Sequence, residues 1–411
     1  MSAVPATKKS FWPPLWVQVV IALIGGVAAG LALGPQATPV LGWLGDIYIN
    51  LIKMLIVPLV FLSVTTSLSR LGQTGKALRL GAKTLMWFIL TSMLAVAVGL
   101  GVGLGFAPWF DVAGLVAEPV KAREIPTVTE VLTNLAPSNI FAAFTEGKVL
   151  QVLVISALVG AALMALGERA EKLRAVLEDG AAVIFAMTRW IIRLTPIGVF
   201  ALIAGVVGEQ GLAALLPLGN FILAIAAACA IHIVVVYGGL LKLHGLSVRR
   251  FFGSAFTAQQ TAFATSSSMA TVPVSLSVVT DKLGVDRSYA GFAVLLGANM
   301  KMDACGAIFP AIAAIFIARF YGIPLDIGHY GIIAFTAVLG TLATAGVPGT
   351  AIVMLSLTLG AAGLPLEGIG LLAAVDRVVD MIRTMTNVTG QMLVPYIVAK
   401  EEGLITEPER G

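Results

Sequence analysis

The sequence predicts an all-α polytopic membrane protein, and three observations carry that reading. First, 58% of the 411 residues are hydrophobic and only 12% charged, with a mean hydropathy of +0.97, whereas a soluble domain is about 25% charged. Second, apolar runs recur that match the roughly 20 residues needed to cross about 30 Å of hydrocarbon. They are far longer than the roughly 10-residue alternating strands of an outer-membrane barrel, and only helices or closed barrels satisfy their backbone in lipid. Third, the last run, 375–395, carries Asp376, Asp380, Arg383, Thr384, Asn387 and Gln391 at offsets 4, 7, 8, 11 and 15 from the first. At about 100° per residue these six share an arc of about 100°. Charges in hydrocarbon cost about 2.5–3.5 kcal/mol or more each, so such a stripe faces protein or water. Its three uncharged hydrogen-bonding groups favour a binding site over a packing ion pair.

In order, residues 1–12 are a polar tail, and apolar runs follow at about 15–34, 44–69, 81–107, 149–166, 181–207 and 213–241. The first follows Lys8 and Lys9 and lacks a small-residue cleavage site, so it reads as a retained span rather than a signal peptide. Arg70, Lys76, Arg79 and Lys83 follow the second run, and Lys242, Arg249 and Arg250 the sixth. The positive-inside rule places these and the N-terminus in the cytoplasm. Loop 108–148 is then extracytoplasmic, and the charged loop 167–179 intracellular. Glu146 and Lys148 read as a turn closing the long loop. Lys53, Arg189 and Arg193 lie in outer parts of spans and read as snorkelling. His232, inside the sixth run, could relay protons; a packed histidine is the expectation.

Residues 251–279 are interrupted at 264–273, and 329–366 at 344–350, by Ser/Thr/Gly/Pro stretches. Each reads as two half-length helices meeting at a tip, a pattern that points to a transporter site built from re-entrant hairpins. Such backbone is tolerated at membrane depth only inside protein or along a water-filled cavity. Between them, 288–318 carries Lys301 and Asp303 mid-run, near Gly297, Gly306 and Pro310. Local unwinding there would expose carbonyls, the oxygen ligands that hard cations take together with carboxylates.

Several function classes are excluded. The net charge of +4 is scattered among loops, which argues against nucleic acid. Cys229 and Cys305 lie in apolar runs, so no disulfide framework is expected. No G-x-x-x-x-G-K-[ST] loop and no H-E-x-x-H motif is present, so the chain is read as no enzyme and as needing no cofactor. A channel is the other rival; conductance without substrate would favour it.

The segments Met-Leu-Ile-Val-Pro-Leu-Val-Phe (54–61), Thr-Ser-Ser-Ser (265–268), Thr-Ala-Gly-Val-Pro-Gly (344–349) and Asp-Met-Ile-Arg-Thr-Met-Thr-Asn-Val-Thr-Gly (380–390) resemble the dicarboxylate/amino acid:cation symporter family, the glutamate transporter homologues. The likeness covers nearly the whole chain. It implies eight transmembrane helices plus two re-entrant hairpins, a homotrimer, and a position in the cytoplasmic membrane with both termini cytoplasmic. It divides the chain into a cytoplasmic tail (1–14), scaffold helices 1–2 (15–80), helix 3 of the transport domain (81–107), a loop with scaffold helices 4–5 (108–212), the rest of the transport domain (213–400) and a second tail (401–411). The transport domain would shuttle as an elevator, with the second hairpin as gate.

By the same resemblance, Arg383 binds the substrate's side-chain carboxylate, for which a planar guanidinium fork is suited. Asp380 takes its ammonium, and Thr384 and Asn387 its main-chain ends. Ser267, Ser268 and Met269 close the pocket from one hairpin, and Ala345, Gly346 and Val347 from the other. Cys305 stands where a substrate-contacting Thr is usual. Asp380 argues for an acidic amino acid over a plain dicarboxylate, since a bare carboxylate repels a dianion. A C4-dicarboxylate carrier and a cystine carrier are the rivals within the family. Cation sites are implied at Phe88, Thr91, Ser92, Gly297, Asn299, Lys301, Met302, Asp303, Thr341, Leu342, Thr344, Asn387 and Gln391, with Asp303 and Asn387 as metal ligands and Na+ and/or H+ as coupling ion.

The chain departs from the family's pattern in three places. Asn-Met-Asp-Gly-Thr is replaced by Lys301-Met302-Asp303-Ala304-Cys305 with one extra residue soon after, an Asp by Gln391, and a Tyr by Phe88. Gln391 removes a negative charge and Lys301 adds a positive one. Lys301 therefore reads as a tethered cation that satisfies Asp303, with coupling through fewer sodium ions or through protons.

Overall fold

A computed structural model describes residues 13, 15–69, 75–110, 133, 135–212, 215–344, 346 and 348–406. Among them the chain is nearly all helical, and the one β-bridge joins Val285 to Ile405. Arg70, Ala345, Val347 and most of loop 108–148 lie outside the described residues.

Helix α1 (Leu15–Leu33) leads through a 3₁₀ turn to α2 (Ala37–Met54) and α3 (Ile56–Ser69). The break after Met54 is set by Pro58, whose ring clashes with the carbonyl four residues back. Helix α4 is Gly75–Phe106, and the short α5 is Ile140–Thr145, capped by Asn139 Oδ1. The expected turn follows: Glu146 and Lys148 pair at 2.6 Å around Gly147, whose φ is +64°.

After α6 (Val149–Leu166), the stretch 167–179 departs from the expected loop. A 3₁₀ turn (Gly167–Ala170) opens directly into α7 (Glu171–Ile192). Its Ala, Leu, Glu, Lys and Arg residues are strong helix formers. Arg174 pairs with Glu171 at 2.6 Å and donates to the carbonyls of Leu163 and Gly167. The run 181–207, expected as one span, is broken before α8 (Thr195–Gln210). Pro196 has no N–H to give the carbonyl of Ile192, where α7 stops, and that carbonyl accepts from Thr195 Oγ1 at 2.6 Å instead.

Helix α9 (Leu215–Ile231) widens into a π turn (His232–Tyr237) before α10 (Gly238–Leu243). The first hairpin is α11 (Val248–Thr265) and α12 (Ser268–Ser277). Its tip is narrower than 264–273: Ser266 adopts φ +50° and Ser267 caps α12 by accepting from the amide of Ala270. Helix α13 (Arg287–Met300) ends at two non-helical residues, Lys301 and Met302. A π turn (Asp303–Ile308) and α14 (Phe309–Phe320) follow. A π turn holds one more residue than an α turn, which would accommodate the extra residue that the resemblance implies. The second hairpin is α15 (Ile327–Ala343) and α16 (Thr350–Ala361), and α17 is Gly368–Glu401.

Helices α1 and α2 pack on α8, and α3 on α6 and α7. Helix α17 is embraced by α9, α11, α13 and α16, while the π turn at 303–308 lies between α4 and α15. Helix α14 is buried on every face from Phe309 to Ala318, as its uniformly apolar sequence requires. Residues 401–406, expected as a tail, fold back: Thr406 donates to the carbonyl of Gly284, and Glu402 pairs with Arg79 and Lys83. Five segments among the described residues are long and apolar enough to cross a membrane: Val17–Ser69, Arg79–Phe110, Val149–Ile192, Leu215–Leu243 and Arg287–Phe320.

Candidate functional site

The stripe on α17 faces inward along its whole length. Asp376, Asp380, Arg383, Thr384, Asn387 and Gln391 are all buried. Arg383 stacks on the Phe309 ring at 4.0 Å. Its Nη2 donates to Asp376 Oδ1 at 2.5 Å and to Asp380 Oδ1 at 3.2 Å. Nε and Nη1 of Arg383 have no hydrogen-bond partner among the described residues, and neither has Asp380 Oδ2. The guanidinium assigned to substrate is thus half engaged by the chain's own carboxylates and half free.

Sequence reasoning missed Arg377. It is buried, and its Nη1 lies 3.8 Å from Asp380 Oδ2, with Nε and Nη1 otherwise unpartnered. It sits one residue beyond Asp376, at the edge of the polar arc, and a wider arc would have included it. Two guanidiniums therefore face two carboxylates, so no net charge is buried there. That balance matters because an uncompensated buried charge costs about 3–5 kcal/mol.

Asp303 sits at the centre of a second cluster. Its Oδ2 is ion-paired with Lys301 Nζ, receives the Tyr237 hydroxyl at 2.8 Å and lies 3.1 Å from His232 Nε2. Its Oδ1 receives Ser92 Oγ at 3.2 Å. Lys301 Nζ also lies 3.3 Å from the Tyr237 oxygen. Residues two apart cannot meet on a regular helix; the unwinding at 301–302 is what lets Lys301 reach Asp303. Gly390 supplies the room, since a Cβ there would lie 2.8 Å from Lys301 Nζ. His232 and Tyr237 stand at the two ends of the π turn. On an α-helix, residues five apart are about 140° apart, whereas an i to i+5 ring stacks them. His232 is packed, as expected, but against the central carboxylate. Its pairing with Tyr237 had no signal in the apolar run except two polar rings five residues apart.

Asn387 Oδ1 accepts from the amide of Ala304, and its Nδ2 donates to Cys305 Sγ at 3.0 Å. Gln391 Nε2 donates to Ser268 Oγ at 3.2 Å and to the carbonyl of Lys301 at 3.1 Å, with Met302 Sδ at 3.8 Å. Gly297 and Phe88 close around Gln391, where a Cβ at Gly297 would be 3.3 Å from Gln391 Cγ. Above them the hairpin tips touch: Met269 N and Ser267 Oγ both donate to the carbonyl of Gly346, at 3.0 and 3.2 Å.

Other residues are not drawn in by their side chains. Thr91 bonds the carbonyls of Trp87 and Phe88, Thr341 that of Ala337, and Thr344 that of Gly340. Leu342 packs into the apolar cluster around α11 and α13. Asn299 turns away, lining a separate cavity of about 760 Å³ with Thr66, Arg174 and Met269.

A buried Arg–Asp ladder with unpartnered guanidinium nitrogens among the described residues, in a structure whose two hairpin tips abut, offers donors to a small anion. The relatives fit this arrangement. A proton/sodium-glutamate symport protein of Geobacillus stearothermophilus is 30% identical over 406 residues, covering 96% of each chain. One of Bacillus subtilis (strain 168) is 31% identical over 402 residues, covering 95% of this chain and 93% of its own. A C4-dicarboxylate transport protein 2 of Ralstonia nicotianae is 32% identical over 406 residues, covering 96% of this chain and 90% of its own. The match to the sodium:dicarboxylate symporter family runs over residues 15–401, and the chain belongs to that family of secondary transporters.

Proposed function

We propose that the chain moves an acidic amino acid, glutamate or aspartate, across the cytoplasmic membrane together with a coupling cation. The observation that carries this is the half-engaged Arg383. Among the described residues its Nε and Nη1 have no hydrogen-bond partner, and neither has Asp380 Oδ2 one turn earlier, whose one ion-pair contact is Arg377 Nη1 at 3.8 Å: a donor set for a carboxylate and an acceptor for an ammonium on one helix face. A substrate carboxylate would take over Arg383 from Asp376 and Asp380, and the net negative charge that an acidic amino acid brings would be offset by the coupling cation. The eight-span, two-hairpin arrangement fits the helices described: α2 with α3, α7 with α8, α9 with α10, and α13 with α14 each make one interrupted span. The scaffold comprises α1–α3 and α6–α8, and the mobile elevator domain α4 and α9–α17. Both termini are cytoplasmic, and three copies assemble through the scaffold.

A second reading, a C4-dicarboxylate carrier, is favoured by Arg377. With a guanidinium on each side, Asp380 repels a dianion less than it would alone. Competition of labelled aspartate uptake into proteoliposomes decides between them. Displacement by glutamate and aspartate but not succinate supports the amino-acid reading. Displacement by succinate at equal concentration supports the dicarboxylate, and no gradient-driven uptake of either defeats both.

A further inference from the structure

We infer that the cation site around Asp303 is filled by the chain's own Lys301 ammonium, so that substrate binding takes no sodium ion there. The inference rests on the symporter reading and narrows its coupling.

The residues present do not fit a sodium ion at this place. A hard cation is held by oxygens with free lone pairs. The Asp303 carboxylate, the strongest oxygen ligand in the cluster, already meets Lys301, Tyr237, His232 and Ser92. Asn387 Oδ1 is turned onto the amide of Ala304. Gln391 presents nitrogen, not oxygen: its Nε2 is surrounded by Ser268 Oγ, the Lys301 carbonyl and Met302 Sδ, all acceptors. The same bond engages the Lys301 carbonyl, which the unwound backbone would otherwise offer to an ion. A sodium ion at Asp303 would also sit against the Lys301 ammonium, a like charge.

The fit to lysine, by contrast, is built from several elements. The unwound turn lets Lys301 fold back on Asp303. Glycine at 390 clears the space its ammonium occupies. The π turn brings the Tyr237 hydroxyl to both ends of the ion pair, and the Tyr237 ring lies 5.2 Å from Nζ. All three groups, Lys301, Asp303 and His232, are fully buried. An ammonium on its stem is a compact point charge, held here where the family's own ligands would hold a free ion.

The test is substrate binding to the purified full-length protein, by calorimetry with aspartate and with succinate. Sodium is varied from about 1 to about 100 mM against choline. The same titration is run on the double variant Lys301→Asn, Gln391→Asp, in which the ammonium is gone. Affinity of the native protein should rise with sodium about tenfold less, for each tenfold of sodium, than that of the variant, because one sodium ion fewer is bound in concert. Equal sodium dependence in the two overturns the inference while leaving the symporter reading intact. No binding of either probe at any sodium concentration overturns the reading and the inference with it. Should the double variant fail to fold, Lys301→Ala decides through its melting temperature: a rise in sodium over choline larger than in the native protein supports the inference, and an equal response overturns it.

Discussion

Arg383 spends one nitrogen on the protein and keeps two for something else. Replacing it by lysine keeps the charge but loses the planar donor set, and those residues are not interchangeable at such a site. With charge-assisted hydrogen bonds contributing about 1.5–3 kcal/mol, Arg383→Lys should weaken aspartate binding by about ten- to a hundredfold in calorimetry while the protein still folds. Asp380→Asn tests the ammonium role separately. It should weaken aspartate by a similar factor and leave succinate unchanged or improved, measured by competition in the same assay. The stripe itself was legible because a period of 3.6 residues puts its six members on one face. Arg377 was not, because it falls at the edge of that arc. Tyr237 and His232 were not either, because an ordinary helix would hold them on different faces, and no sequence pattern announced the π turn that joins them.

At the scale of elements, both hairpins were readable from their Ser/Thr/Gly/Pro interruptions, and the break between α13 and α14 from Lys301 and Asp303 standing two residues apart in an apolar run. The charged stretch after α6 misled, because charge alone suggests a loop. Its composition favours a helix, and Arg174 reaching back to the carbonyls at the end of α6 closes the corner. Prolines 58 and 196 set breaks that a hydropathy run cannot show. The hairpin contact makes its own prediction. Gly346 admits no side chain, since a Cβ there would lie 2.9 Å from Ser268 Cβ and meet the carbonyl of Ala298. Gly346→Ala should hold the tips apart. In a chain with Cys229 replaced by alanine, buried Cys305 should then react with a small methanethiosulfonate about tenfold faster or more, and no faster if the tips still close.

Across the whole molecule, the end of α17 is tied to the start of α4. Glu402 meets Lys83 at 2.8 Å and Arg79 at 2.6 Å. The hydrogen bond from Lys83, with Arg79 beside it, holds the Glu402 carboxyl below its ordinary range. A depressed carboxylate contributes stability above its ordinary pKa and loses it as pH falls through the lowered value. Melting temperature should therefore fall on acidification less steeply in Glu402→Gln than in the native chain, and by a small amount, because the pair is near the surface. The contact between the hairpins reaches further. One carbonyl, that of Gly346, takes the bonds of both Ser267 and Met269, so the hairpins cannot part by stages: a displacement of that single peptide unit undoes both ties together.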